Sequence, residues 1–168
     1  MSVIDVGPLT WEALLCCFLS GIIVGLERQL RGKPVGMRTS ALICMGTYVF
    51  IAISQHVANQ VTDPSRIIGQ VVTGIGFLGA GVILARHGAI IGVTSASAIW
   101  VLAAIGVVIG LGFPWLGVKL AVLTVAILVG VDFFEHHFAF LQRGVHQKPE
   151  GKRGPTVAQP SRLPRDSE

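Results

Sequence analysis

The sequence predicts an all-α polytopic membrane protein with five transmembrane helices, an outside N-terminus and a cytoplasmic C-terminus ending in a disordered tail. Three observations carry this. Only 13% of the 168 residues are charged and 52% are hydrophobic, whereas a soluble domain carries about 25% charged residues. The charges are clumped, which leaves long uncharged runs between them. The bases fall almost entirely on one side of those runs. Mean hydropathy is +0.70, and a surface for water could not be built from so few charges.

A helix rises about 1.5 Å per residue, so about 20 residues cross about 30 Å of hydrocarbon. The first span is 9–26, with Glu12 near its start. Spans 39–57 and 67–85 hold no charge. Residues 88–118 are also uncharged but too long for one span. "GLGFPW", Gly110 to Trp115, divides them, because Pro114 cannot continue a helix and Gly supplies a turn. The fourth span is therefore 91–111 and the fifth 115–131, with Lys119 near its start and able to snorkel. Together these form one domain, 9–135. Met1 to Trp11 contains no Lys or Arg, so no signal peptide is expected there.

Lys and Arg concentrate on cytoplasmic loops. The loop after the first span holds Arg28, Arg31, Lys33 and Arg38. Arg66 follows the second span and Arg86 the third. Six bases lie in the tail, and Lys119 stands opposite them. Eleven bases on one side against two on the other place the N-terminus outside. The tail, 142–168, contains Pro149, Pro155, Pro160 and Pro164 and few apolar residues. It is expected to be disordered and able to touch anionic headgroups.

"GIGFLGAG", Gly74 to Gly81, matches a dinucleotide-binding pattern, but it lies inside an uncharged span with no acid downstream where that fold needs one. Packing explains it better. At about 100° per residue, Gly74 and Gly81 share one face, while Gly69, Gly76, Gly79 and Ala80 cluster on another. Small residues let membrane helices approach closely. The third span is then the central helix, and Gly21 and Gly25 offer a complementary surface. The alternative is a helix loosened by glycine, with carbonyls facing a cavity.

Under this topology the polar residues converge on one end. Glu27, Arg28 and Arg31 close the first span. Arg38, Thr39 and Ser40 open the second. Gly92, Thr94, Ser95 and Ser97 open the fourth, and Asp132 and Glu135 follow the fifth. Glu27 is the informative one, because the positive-inside rule does not explain an acid there. One reading pairs it with Arg38, with Arg28 and Arg31 behind, to fix the first hairpin. The other makes the cluster a site for a cation, phosphate or headgroup. Glu12 reads as interfacial, His136 and His137 as solvated or lipid-facing, and Trp100 as packing. Cys16, Cys17 and Cys44 lie in apolar runs without metal spacing and read as small packing residues.

"GLERQLRGKPVGMRTSALICMG", "DPSRIIGQVVTGIGFLGAGVIL" and "GVTSASAIWVLAAIGVVIGLG" resemble, in order and spacing, the MgtC/SapB family of bacterial membrane proteins. The resemblance covers roughly 21–112. It implies a five-span inner-membrane protein for adaptation to low magnesium and, in pathogens, survival in host cells. It further implies a regulatory role, which in some members includes inhibition of the proton-translocating ATP synthase. The family's polar motif falls on Glu27, Arg28, Arg31, Gly36, Arg38 and Thr39. Its glycine motif falls on Gly74, Gly76, Gly79 and Gly81, with Arg66 upstream. A third block falls on Gly92 to Trp100, where Ser95, Ser97 and Ala98 alter the usual hydroxyl pattern. Longer members continue into an ACT-like domain, where this sequence has only its polar tail.

The expectation is therefore a regulatory bacterial inner-membrane protein, not an enzyme, using no cofactor. Its expected partners are the bilayer, another inner-membrane protein or a second copy of itself, not nucleic acid. The rival is a transporter of Mg²⁺ or another small ion. Mg²⁺ favours one or two carboxylates plus waters, and the mid-membrane sequence offers no acid.

Overall fold

The computed structural model describes residues 8–57, 64–86 and 89–137. The predicted tail, 142–168, lies outside them. Five helices and one two-stranded hairpin make up the described residues: α1 (Trp11–Leu30), α2 (Met37–Val57), α3 (Pro64–Gly81), β1 (Leu84–Arg86), β2 (Ala89–Ile91), α4 (Val93–Gly110) and α5 (Pro114–His137). Four of them, α1, α2, α4 and α5, are long and apolar enough to cross a membrane. Their outer faces carry Phe18, Leu42, Phe50, Leu123 and Ile127, all exposed. Such continuous apolar surface suits hydrocarbon rather than water.

The helix ends follow local chemistry. Thr10 caps α1, its Oγ1 accepting the Ala13 N–H at 3.2 Å. At the far end Gly32 takes φ 61°, and Lys33 N–H bonds Arg28 O at 2.9 Å. Gly32 N–H bonds Gln29 O at 3.1 Å. This is a Schellman turn, which needs a residue free to adopt left-handed geometry. The α4–α5 break repeats it with Gly112 at φ 95°, Phe113 N–H bonding Val108 O at 3.2 Å, and Pro114 opening α5. Pro suits a first helical position because no intrahelical partner exists for its missing N–H.

The core lies where α1, α2 and α4 meet. Cys16, Cys17 and Val24 from α1 meet Cys44 and Tyr48 from α2 and Ile99, Leu102, Ile105 and Ile109 from α4, all at most 3% exposed. The three cysteines are free and buried. Glycines set the spacing. A Cβ at Gly25 would sit 2.5 Å from Met37 Cα, and one at Gly21 would overlap Ala41. On α4, a Cβ at Gly106 would come 2.5 Å from Cys44 O, and one at Gly110 2.6 Å from Ile51 Cβ. Each pair is a small-x-x-x-small surface that brings two backbones together.

This arrangement corrects three expectations. The centre is shared by α2 and α4, each of which touches the other, α1 and α3; α3 lies to the side, on α4 and α2. Within the chain, Gly69, Gly74, Gly76 and Gly81 face open space, and Gly79 alone among the α3 glycines meets a neighbour, Ala96 at 3.8 Å. The predicted third span also ran too long. The helix stops at Gly81, and residues 84–86 pair antiparallel with 89–91. β-branched residues flank this segment, and they favour strand over another helical turn. The all-α expectation holds for the described residues, with one short hairpin between α3 and α4.

Contacts divide the chain into two compact units at Asp132. In the second, the Phe133 and Phe134 rings meet edge to face at 6.3 Å.

Candidate functional site

The last turn of α1 and the first turn of α4 bring four polar side chains together. The Schellman turn at Gly32 ends α1 just after Arg31, so Glu27, Arg28 and Arg31 share its final turns. Gly92 starts α4 at φ 93°, where a Cβ would overlap Val82 O. Only glycine fits there, and the geometry puts Ser95 in the first turn of α4, 1% exposed.

Glu27 is 8% and Arg28 2% exposed. Glu27 Oε1 takes Arg31 Nε at 2.7 Å, an i,i+4 pair. Arg28 Nη1 stands 4.0 Å from Glu27 Oε2. Arg28 Nη2 then donates to Ser95 Oγ at 2.6 Å, across 67 residues. Arg28 therefore ties α1 to α4 through a buried, charge-assisted hydrogen bond, which is roughly twice as strong as a neutral one. Arg28 Nε and Glu27 Oε2 have no hydrogen-bond partner among the described residues.

The structure gathers Glu27, Arg28, Arg31 and Ser95 from the predicted cluster. It leaves Arg38, Thr39 and Thr94 exposed. The expected Glu27–Arg38 pair is not formed, because Arg31, one helical turn away, already holds the carboxylate. The Asp132 side chain lies outside the described residues, as do those of Glu135, His136 and His137. Ser97 faces outward and gives its hydroxyl to Val93 O at 3.0 Å, so the altered hydroxyl pattern leaves Ser95 as the one that reaches the cluster.

Ser20, Ser40 and Thr47 carry buried hydroxyls not singled out from sequence as site members. Ser20 is fully buried on α1 with no partner for its Oγ among the described residues. It lies seven residues before Glu27, hence on the same face, and that spacing was the available signal. Ser40 donates to Val35 O at 3.3 Å. Val35 has φ 70°, a left-handed conformation that β-branched residues rarely adopt. The Ser40 bond and burial of Val35 hold the α1–α2 loop in that shape.

Chemically the cluster is one carboxylate beside two guanidiniums. It offers a fixed, oriented link between helices. It is a poor cation site, because the carboxylate is already neutralised and the surplus charge is positive.

Comparison with known proteins identifies the family. The MgtC family model matches residues 14–137. YhiD of Escherichia coli, named a candidate magnesium transporter, is 41% identical over 160 residues, covering 89% of this chain and 74% of that protein. An uncharacterized Haemophilus influenzae protein is 41% identical over 152 residues, 85% of this chain and 61% of its own length. Protein MgtC of Salmonella typhimurium is 44% identical over 99 residues, 59% of this chain and 42% of its own length. No solved structure matches. From its matched span and these relatives, this chain is a membrane protein belonging to the MgtC family.

Proposed function

We propose that the chain is a non-enzymatic regulatory protein of the bacterial inner membrane, serving adaptation to low magnesium, rather than an ion carrier. One observation carries this: the Glu27 carboxylate, the one buried acid among the described residues, is held by Arg31 at 2.7 Å and flanked by Arg28. A carrier for Mg²⁺ needs carboxylate oxygens free to replace water. Here Oε1 serves an internal link and Oε2 faces the Arg28 guanidinium instead. A regulatory role calls for a partner in the same membrane, and the exposed apolar faces of α3 and α5 are available for one.

Purified protein in proteoliposomes under a Mg²⁺ gradient should give no protein-dependent Mg²⁺ flux. Saturable uptake that depends on the protein would overturn the regulatory reading and favour transport, as the name of the E. coli relative suggests.

The proposal includes α3 as a fifth span, with the N-terminus outside and the C-terminus inside. It rests on the eleven-to-two distribution of bases and the positive-inside rule. A reporter fused after Glu168 should be active only in its cytoplasmic form. External activity there would contradict five spans.

A further inference from the structure

At the end of the bundle away from Glu27, the start of α1, the last turns of α2 and the α4–α5 turn line a half-open cavity of about 490 Å³, with Glu12 exposed at it. Glu12 at this end and Glu27 at the other are about 22 Å apart along the helix axis. The cavity is therefore separate from the charged cluster. Cavities that hold small molecules run about 300–1,000 Å³.

Its lining has two sides. Ala13, Ala52 and Ile109 form a buried apolar floor. Glu12, Tyr48, Gln55 and His56 supply polar groups. Two of these are held in place from distant parts of the chain. Glu12 Oε1 accepts Trp115 Nε1–H at 2.8 Å, across 103 residues. Tyr48, 3% exposed, accepts the Thr10 N–H at 2.9 Å. Because the backbone fills that acceptor role, Tyr48 still has its own O–H to donate. The indole bond takes one Glu12 oxygen, and Oε2 stays as a charged acceptor. Among the described lining residues Glu12 is the one carboxylate, and His56 is the one side chain that could carry positive charge.

We infer that this cavity binds a small organic cation. Its ammonium sits on Glu12, and its carbon body lies on Ala13, Ala52 and Ile109. The apolar floor decides against a hydrated metal ion, which prefers a near-complete shell of oxygens and would gain nothing from that wall. An alkylammonium uses both sides. The indole bond is part of the device, because it fixes the carboxylate before the ligand arrives and lowers the ordering cost of binding.

Trp115 is also the reporter. The chain has three tryptophans, so Trp11→Phe with Trp100→Phe leaves Trp115 alone. This protein, in detergent, is titrated with n-butylammonium chloride while Trp115 emission is followed. A saturable change is expected. Glu12→Gln keeps an acceptor for the indole but removes the charge, and should weaken binding about tenfold or more. Ala52→Leu fills the floor without touching Glu12 and should weaken it too. n-Butanol and MgCl₂ should give no saturable response. The inference is overturned by a linear or absent response to n-butylammonium, by equal affinity in Glu12→Gln or in Ala52→Leu, or by saturation with MgCl₂.

Discussion

Gly25→Leu should strongly destabilise the protein, and Gly76→Leu should leave it almost unchanged. At Gly25 the added side chain would meet the α2 backbone itself, with Met37 Cα 2.5 Å from the new Cβ and Met37 N at 2.7 Å. A backbone cannot rotate away as a side chain can, so α1 and α2 must separate. Overpacking typically costs about 1–3 kcal/mol and occasionally more, and this position belongs at the upper end because the α1–α2 contact is the heart of the core. Gly76 has nothing within 4 Å of the position a Cβ would take. Thermal unfolding in one detergent would compare the two variants with the parent. Equal loss in both would mean that α3 is packed on both sides after all, as the glycine pattern suggests when read alone.

Glu27→Leu should cost about 3–5 kcal/mol, the usual penalty for leaving a buried charge without its partner. It leaves Arg28, 2% exposed, with Ser95 as its remaining polar partner among those identified. The double variant Glu27→Leu with Arg28→Leu should recover most of that loss. Replacing a whole buried ion pair by apolar residues is often neutral. Arg38→Glu should change stability little, because Arg38 is exposed and makes no ion pair among the described residues. Exchanging charges between Glu27 and Arg38 should accordingly fail to rescue either single change. Unfolding of the four variants in parallel checks this, and recovery in the Glu27–Arg38 exchange would restore Arg38 as the partner.

The helices were legible in the sequence because uncharged runs of membrane length are rare by chance. The α4–α5 break was marked by Gly112 followed by Pro114, whereas the end of the first span, set at 26, fell short of Leu30, where Gly32 turns the chain. Ser95 was placed with Glu27 and Arg28 because alternating spans put the end of α1 beside the start of α4. Three things were not legible. The glycine pattern shows which residues permit close approach but not which ones another helix uses. Gly74, Gly76 and Gly81 stay open, while Gly106 and Gly110, spaced just as suggestively in "GVVIG", are packed tight. The partner of Glu27 was misassigned although Arg31, at i+4, is the ordinary helical choice. Arg38 draws attention because it opens the next span, but the loop turns it outward. The Glu12–Trp115 bond joins residues 103 apart, and no local pattern reports such a distance.

The structure also separates residues that a motif treats alike. Thr94 and Ser95 are adjacent, yet Thr94 is exposed and Ser95 receives the Arg28 hydrogen bond. Function should follow that division. If the Arg28 link between α1 and α4 is what the protein works through, its loss should silence the protein without removing it from the membrane.

Growth at limiting Mg²⁺ tests this most directly, in a strain lacking the protein and supplied with Arg28→Lys, Ser95→Ala or Thr94→Ala, with the membrane abundance of each read alongside. Lys keeps the charge but has no planar fork to serve Glu27 and Ser95 together. The account predicts parental abundance for all three, growth reduced to the level of the empty strain for Arg28→Lys and clearly impaired for Ser95→Ala, and parental growth for Thr94→Ala. Parental growth with Arg28→Lys and Ser95→Ala would contradict it and leave the cluster as scaffolding alone.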